Sequence, residues 1–217
     1  MFSVIITAGG IGKRMGSSIP KQFIEIKGLP ILMRTIQRFY EFDASCQIIV
    51  TLPSDWISFW NELIEKHDFR INHQLVDGGV ERYDSIKNAI YFCKHDIIAI
   101  HDGVRPFVSN ETIHKTIELA KQKGSAIPTL PLKESLRQVK NGQSIAVKRS
   151  EYVNVQTPQV FQKEIIEKAY SIPFHEAITD DASLVEEAGF EVFLCDGNEE
   201  NIKITTQFDL KIGNFLK

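Results

Sequence analysis

Long apolar runs are missing from this chain of 217 residues, and so is any large excess of one charge sign. No stretch approaches the ~20 apolar residues that a membrane helix needs, and no basic segment leading into an apolar one marks a targeting leader. Lys and Arg number 25 against 28 Asp and Glu, for a formal net charge of −3. That balance provides no broad basic field to offset phosphate repulsion, which argues against a nucleic-acid partner. Cysteine is scarce: Cys46, Cys93 and Cys195 stand far apart, without metal-ligand or paired spacing. They read as thiols of a reducing compartment, and the cytoplasm is the expected location. Internal repeats, low-complexity tracts and linkers are missing too. What remains is ordinary globular composition, 43% hydrophobic and 24% charged, at a length that one substantial core accommodates. The expectation is a single domain over residues 1–217.

Residues 7–23, TAGGIGKRMGSSIPKQF, are the most informative stretch. The apolar run from Phe2 to Ile6 reads as a buried first strand. It leads into Gly9, Gly10 and Gly12, then Lys13, Arg14 and, after a short spacer, Lys21. Glycines there let the backbone turn sharply and bring its N–H groups against an anion. Cations clustered just beyond such a turn suit a triphosphate better than a single phosphate. Two familiar phosphate loops are excluded. A dinucleotide fingerprint needs a third glycine where this chain has Met15. A P-loop needs Ser or Thr after its lysine, and here Arg14 follows Lys13. An open α/β nucleotide site of another kind is left.

Strand and helix patterns alternate along most of the chain. Leu32, Ile36 and Phe39 mark a helix face, and Gln47 to Leu52 read as the next strand. Ile86, Ala89, Ile90 and Cys93 repeat at helical spacing. Ile97 to Ile100 form a short strand ending at His101-Asp102. Ser109 or Asn110 caps a helix carrying Ile113, Ile117 and Ala120. Such alternation predicts a mostly parallel sheet with helices on both faces and ligands beyond the carboxyl ends of its strands. Residues 133–149 break the pattern. Asn141-Gly142 between two extended stretches is a hairpin signal, because both central residues of a type I′ turn need positive φ. Neither stretch is apolar enough to join a core, so a projecting arm that packs on a second subunit is expected.

Five further motifs carry polar chemistry. Asp77-Gly78-Gly79 before Glu81-Arg82-Tyr83-Asp84-Ser85 offers free N–H groups and a hydroxyl to a base or ribose, although a turn and helix cap explain it equally. Asp102, at a strand terminus of a triphosphate protein, is a natural Mg²⁺ ligand; the alternative is a structural pair with Arg105. Thr179-Asp180-Asp181-Ala182-Ser183 opens a helix whose dipole those acids favour. Asn201 to Thr206 reads as a strand in which Lys203 faces either solvent or the site. Thr206 then begins a capping box with Asp209. Gln156-Thr157-Pro158-Gln159 supplies amide and hydroxyl groups on a stiffened turn.

Taken in order, AGGIGKRM, PKQF, DGG with ER and DS, HDGVRP, QTPQ, TDDAS and NIKITT run from end to end of the chain. On these motifs the chain resembles the 2-C-methyl-D-erythritol 4-phosphate cytidylyltransferases. The resemblance implies a Rossmann-like core, a homodimer formed through the 133–149 arm, and a Mg²⁺ requirement. It implies that Ala8, Gly9, Gly10, Gly12 and Lys13 wrap the CTP phosphates. Gly78, Gly79 and Ser85 would meet the cytosine and ribose, and Asp102, beside Gly103, would hold Mg²⁺. Arg14 and Lys21 correspond to transition-state stabilisers, and Arg149 and Lys203 to the pair that positions the sugar phosphate. Ser135, Thr157 and Thr179 would line its pocket. The chain departs from the commonest pattern at Glu134 and Ser135, where Asp and Thr are usual, at Gly103-Val104 in place of Ala-Ala, and at Val80. None of these removes a charge that the chemistry needs. The implied reaction is transfer of CMP from CTP to the acceptor phosphate with release of pyrophosphate. A pentitol-phosphate cytidylyltransferase, acting for example on ribitol 5-phosphate, shares several of the motifs. A catalytically silent CTP-binding regulator is the alternative of another class.

Overall fold

The computed structural model describes residues 1–10 and 19–216. Its central feature is an eight-stranded sheet around the first apolar run. β1 (Ser3–Thr7) continues, past the small antiparallel pair β2 (Glu25–Ile26) and β3 (Leu29–Pro30), into helix α1 (Ile31–Phe42) and then β4 (Gln47–Leu52). α2 (Ile57–Lys66), β5 (Gln74–Asp77), α3 (Arg82–Ile90) and β6 (Ile97–Asp102) follow. β1, β4, β5 and β6 are mutually parallel, with β4 on one side of β1 and β6 on the other. The chain therefore winds outward from β1 to β5 and then returns to the opposite side of β1. The crevice between the ends of β1 and β6 is a topological switch point, where ligands of such sheets bind.

The second half completes the sheet less regularly. α4 (Asn110–Lys123) leads to β7 (Ser125–Pro131), the hairpin β8 (Arg137–Lys140) and β9 (Gln143–Ala146), then β10 (Val153–Val155) and β11 (Gln159–Gln162). β11 lies antiparallel between β6 and β7, and β10 is antiparallel to β7. α5 (Lys163–Ala169), α6 (Asp181–Glu187), β12 (Leu194–Asp196) and α7 (Gln207–Phe215) close the order, with β12 parallel to β7. The sheet is thus mostly parallel, with helices against both faces.

The period-two alternation of strand side chains divides the core. Val4, Ile6, Ile48 and Val50 face one cluster with Leu32, Ile36 and Phe39 of α1, Trp60 of α2 and Ile113 and Ile117 of α4. Ile5, Ile49, Ile98 and Ile100 face the other, with Ile86 and Ile90 of α3, Ile166 of α5 and Leu184 of α6. Each such side chain removed from water contributes about 1.5–3 kcal/mol. Ser109 is the N-cap of α4 and accepts a hydrogen bond from the Thr112 N–H at 3.0 Å. The hairpin turn has φ of 51° at Asn141 and 77° at Gly142, the positive pair of a type I′ turn. Every residue of β8 and β9 is exposed, and the two strands pair only with each other.

One expected strand does not form. Asn201–Thr206 is irregular, tied to the core by the Ile204 N–H to the Val104 carbonyl at 2.9 Å. Its alternation comes from Ile204 packing into a small third cluster with Ile26, Ile31 and Val104, not from a ladder. The segment ends in the expected capping box, Thr206 with Asp209. Among the described residues no helix is long and apolar enough to cross a membrane.

Candidate active site

A cavity of about 220 Å³ opens where β1 and β6 end. Thr7 and Asp102 are register partners across that crevice. Ala8, Gly9 and Gly10 form one wall, and the Ala8 N–H is held by the Thr51 carbonyl at 3.0 Å. Lys21 lies alongside, close enough that a Cβ on Gly10 would sit 3.6 Å from its Cε. Lys21 begins a short 3₁₀ turn, Lys21–Phe23, anchored by Phe23 packing against Trp56, Phe59 and Trp60. The turn is tied to the glycine loop by Gln22, whose Nε2 donates to the Ala8 carbonyl at 2.6 Å. Gly12, Lys13 and Arg14, named from the sequence, lie outside the described residues.

The opposite wall is the start of α3. A Cβ on Gly79 would stand 2.1 Å from the Asp84 Cβ, so only glycine permits this approach to the helix. The Gly79 N–H donates to the Ser85 hydroxyl at 3.0 Å, and that hydroxyl donates to the Glu81 carbonyl at 3.1 Å. Ser85 thus braces the loop as well as lining the cavity. Gly78 donates to the Leu52 carbonyl at 2.7 Å and Gly103 to that of Thr7 at 2.8 Å; both support the wall from behind.

The floor is a charged cage around Asp102. Arg105 Nε and Lys203 Nζ approach its Oδ2 at 3.0 and 3.1 Å. Arg82 Nε lies 4.0 Å from its Oδ1. Burial alone would raise the carboxyl pKa, but Arg82, Lys203 and Arg105 outweigh it and hold Asp102 well below the usual carboxylate range. The Arg105 pair, one of the two alternatives left by the sequence, forms through Oδ2. Lys203 faces the site, not solvent alone.

Behind the cage runs a buried polar chain. The Asp102 N–H donates to the Thr157 hydroxyl at 3.1 Å, which sits 3.0 Å from His101 Nδ1, and His101 Nε2 lies 3.0 Å from the Arg105 carbonyl. A carbonyl only accepts, so Nε2 carries the proton and Nδ1 accepts from Thr157. Burial pushes the His101 pKa down to about 4, against partial support from the Arg105 carbonyl, and the ring is neutral at pH 7. Asn201 Nδ2 donates to the Thr157 carbonyl at 2.8 Å, and Arg105 Nη1 to that of Asn201 at 2.8 Å. These bonds carry Lys203 to Asp102 across a long sequence separation.

Other residues named from the sequence fall elsewhere. Thr157 is buried behind Asp102. Thr179 is exposed at a neighbouring cavity of about 140 Å³ that shares Glu81 and Arg82 with the first. Ser135 and Arg149 are exposed on the arm, where Arg149 Nη1 donates to the Lys133 carbonyl; neither lines the cavity in the same chain. Sequence reasoning missed Arg82, Asp181 and Tyr170. Asp181 is fully buried and bound by both Nη atoms of Arg82, a role that its place in a helix first turn does not reveal. A larger groove of about 570 Å³ on the far side of α1 is basic, but Arg34 and Arg38 there are committed to carbonyls and Glu41.

A switch-point cavity floored by three cations on two buried carboxylates, with a further lysine on its rim, defines an α/β enzyme built for a polyphosphate, of the nucleotidyltransferase class. A family profile for 2-C-methyl-D-erythritol 4-phosphate cytidylyltransferase matches residues 2–216. The protein of that name from Bacteroides thetaiotaomicron is 48% identical over 215 residues, covering 99% of this chain and 98% of its own length. That from Porphyromonas gingivalis is 45% identical over 98% and 96%. Among solved structures, the 4-diphosphocytidyl-2C-methyl-D-erythritol synthase of Anaerococcus prevotii superposes with a TM-score of 0.83 at 29% identity, over 98% of this chain and 94% of that one. The Thermus thermophilus cytidylyltransferase gives 0.81 at 26% identity, over 99% and 97%. The chain belongs to the 2-C-methyl-D-erythritol 4-phosphate cytidylyltransferase family.

Proposed function

We propose that this enzyme transfers CMP from CTP to 2-C-methyl-D-erythritol 4-phosphate and releases pyrophosphate. The observation that supports it most is the cation cage at the strand ends, because this reaction brings two polyanions together. The acceptor's phosphate oxygen forms a bond to the α-phosphorus of CTP as the bond to the β-phosphate oxygen breaks. A phosphate monoester dianion is already nucleophilic, so the site needs no general base, only charge neutralisation and in-line alignment. Lys21, against the glycine wall, meets charge on the transferred phosphoryl group. Lys203 steers the acceptor phosphate from the Asp102 side. Ala8, Gly9 and Gly10 present the backbone to the triphosphate, and Gly79 and Ser85 shape the nucleoside end.

The donor set fits Mg²⁺ shared with phosphate. Among the described residues no group of three or more His, Cys, Asp or Glu side chains comes together, which does not suit an all-protein cage. One carboxylate plus substrate phosphates is the usual Mg²⁺ arrangement, and Asp102 supplies that carboxylate. The ion would neutralise triphosphate charge there.

Arg149 and Ser135 reach a site only across a subunit boundary. The exposed hairpin of β8 and β9, with Val139 and Ile145 uncovered, packs on a second copy, giving a cytoplasmic homodimer whose arms complete each other's acceptor sites. A pyrophosphate-release assay tests the activity with CTP and, separately, methylerythritol phosphate and ribitol 5-phosphate. Release with the first acceptor and little with the second is expected. Release with ribitol 5-phosphate alone reassigns the acceptor, and CTP binding without release from either makes the protein a regulator.

A further inference from the structure

The nucleotide cavity and the smaller cavity beside Thr179 share a wall made by Glu81 and Arg82. Arg82 has a carboxylate on each side. Its Nη1 and Nη2 are 3.0 and 2.6 Å from the two oxygens of Asp181, which is fully buried in the first turn of α6. The Tyr170 hydroxyl donates to the same carboxylate at 2.5 Å, so Asp181 is itself held in place. On the other side, Arg82 Nε stops 4.0 Å from Asp102 Oδ1, beyond hydrogen-bond reach. Asp102 is therefore unevenly occupied. Its Oδ2 takes Arg105 and Lys203 at 3.0 and 3.1 Å, while Arg82 stands off Oδ1.

An arginine beside two carboxylates pairs best with whichever offers two parallel bonds in a dry setting. Asp181 offers both. Without it, the carboxylate already within 4.0 Å of this guanidinium is that of Asp102, which lines the cavity. We propose that Asp181, fixed by Tyr170, is a positioning residue that withholds Arg82 from Asp102 and so keeps Asp102 Oδ1 open to what binds in the cavity. The proposal rests on the nucleotide reading of that cavity for its effect on turnover, but its structural claim stands without it. It also separates two neighbouring acids of the same motif: Asp180 caps α6 through the Ser183 N–H at 2.9 Å, and Asp181 serves the site.

The test compares Asp181→Asn, Tyr170→Phe and the double variant Arg82→Gln/Asp181→Asn with wild type, by crystal structure, melting temperature and kinetics. In Asp181→Asn, Arg82 is expected to close on Asp102 Oδ1 to about 3 Å. Turnover should fall about tenfold or more, with KM for CTP changed less than kcat. Tyr170→Phe, which leaves both charges in place, should lose about two- to threefold. The double variant has no guanidinium to close on Asp102 and should regain about threefold or more over Asp181→Asn. Rescue by a second substitution is what a purely structural role of Asp181 would not produce. An unmoved Arg82 with wild-type kcat in Asp181→Asn overturns the proposal. A double variant no better than Asp181→Asn also does so, since it makes Arg82 a needed cation. If Asp181→Asn fails to fold, unchanged kcat in a folded Tyr170→Phe overturns it, and the expected loss there supports it. Wild-type protein that releases no pyrophosphate would sink the nucleotide reading, whereas the movement of Arg82 is judged from the crystal structures alone.

Discussion

The strand-end cage and the 133–149 arm are opposite solutions to placing charged groups. In the cage, Asp102 and Asp181 are buried, and their cations come from α3, from the loop after β6 and from the segment before α7. Arg82 and Asp181 lie 99 positions apart, whereas Arg105 reaches Asp102 from three positions away, and all are carried by elements packed on the core. On the arm, every residue of β8 and β9 is exposed, and the Arg149 side chain donates to the Lys133 carbonyl. The cage is assembled from segments of one chain, whereas the hairpin strands pair only with each other. Of the two cations proposed for the acceptor phosphate, Lys203 sits in the cage and Arg149 on the arm.

The hardest test of this division is chemical. Lys21→Ala should lower kcat about 10²–10³-fold, the range for losing one preorganised donor to transition-state charge. KM for CTP should move far less, as steady-state kinetics would read directly. The reverse split would make Lys21 a ground-state anchor. Next comes the sharing of sites. Lys21→Ala and Arg149→Ala chains, each inactive alone, are mixed, unfolded and refolded. If Arg149 acts in trans, half the dimers are mixed, each with one intact site, and about a quarter of wild-type activity returns. No return, with mixed dimers confirmed by mass, assigns Arg149 to its own chain and removes the contrast.

A smaller effect tests the rigidity of the cage. His101 has a folded pKa of about 4, below the ordinary unfolded value, so the unfolded state takes up a proton first as pH falls. Its contribution is fully present above about pH 6.5 and is lost between there and about pH 4, amounting to about 3 kcal/mol. Asp102, whose pKa is depressed, holds its own contribution until the pH falls below the unfolded carboxylate range, so the two effects separate. Denaturant unfolding across pH 4–7 should show the decline, and His101→Gln should flatten it. His73, also depressed by burial, will leave a residual slope.

The smallest effect compares two glycines. Gly79→Ala drives a methyl into Asp84 and should cost about 1–3 kcal/mol, lowering the melting temperature by about 2–4 °C per kcal/mol. Gly142→Ala meets nothing within 4 Å but strains a φ of 77°, at about 1 kcal/mol, in a hairpin the core does not feel. Its melting temperature should stay near wild type, and only the dimer dissociation constant should rise. Equal shifts at both positions would mean that the arm folds with the core.

Much of the frame was legible because it is written in local periodicity and end signals. The Phe2–Ile6 run, the Gln47–Leu52 strand, the Ser109 cap, the Asn141-Gly142 turn and the Thr206 capping box each need only neighbours within a few residues. The Asn201–Thr206 segment shows the limit of such reading. Its apolar alternation is real, but burial of Ile204 against Val104 satisfies it without a ladder. Asp181 shows the limit for charge: a helix first turn gives an acid one local reason to be there, and the partner that matters, Arg82, lies 99 positions away.

By itself the sequence determined the first strand and the glycines and cations that follow it, several of the helices with the Ser109 and Thr206 caps, and the hairpin. Only the tertiary structure decided that Arg82 and Lys203 join Arg105 around Asp102, that the Thr157 hydroxyl holds both the Asp102 N–H and His101, and that Arg82 is shared between two acids. Local elements follow from backbone geometry and side-chain period, which a short window contains. Pairings among buried charges follow from which strand ends the fold brings to one crevice, and low dielectric there makes each partner decisive.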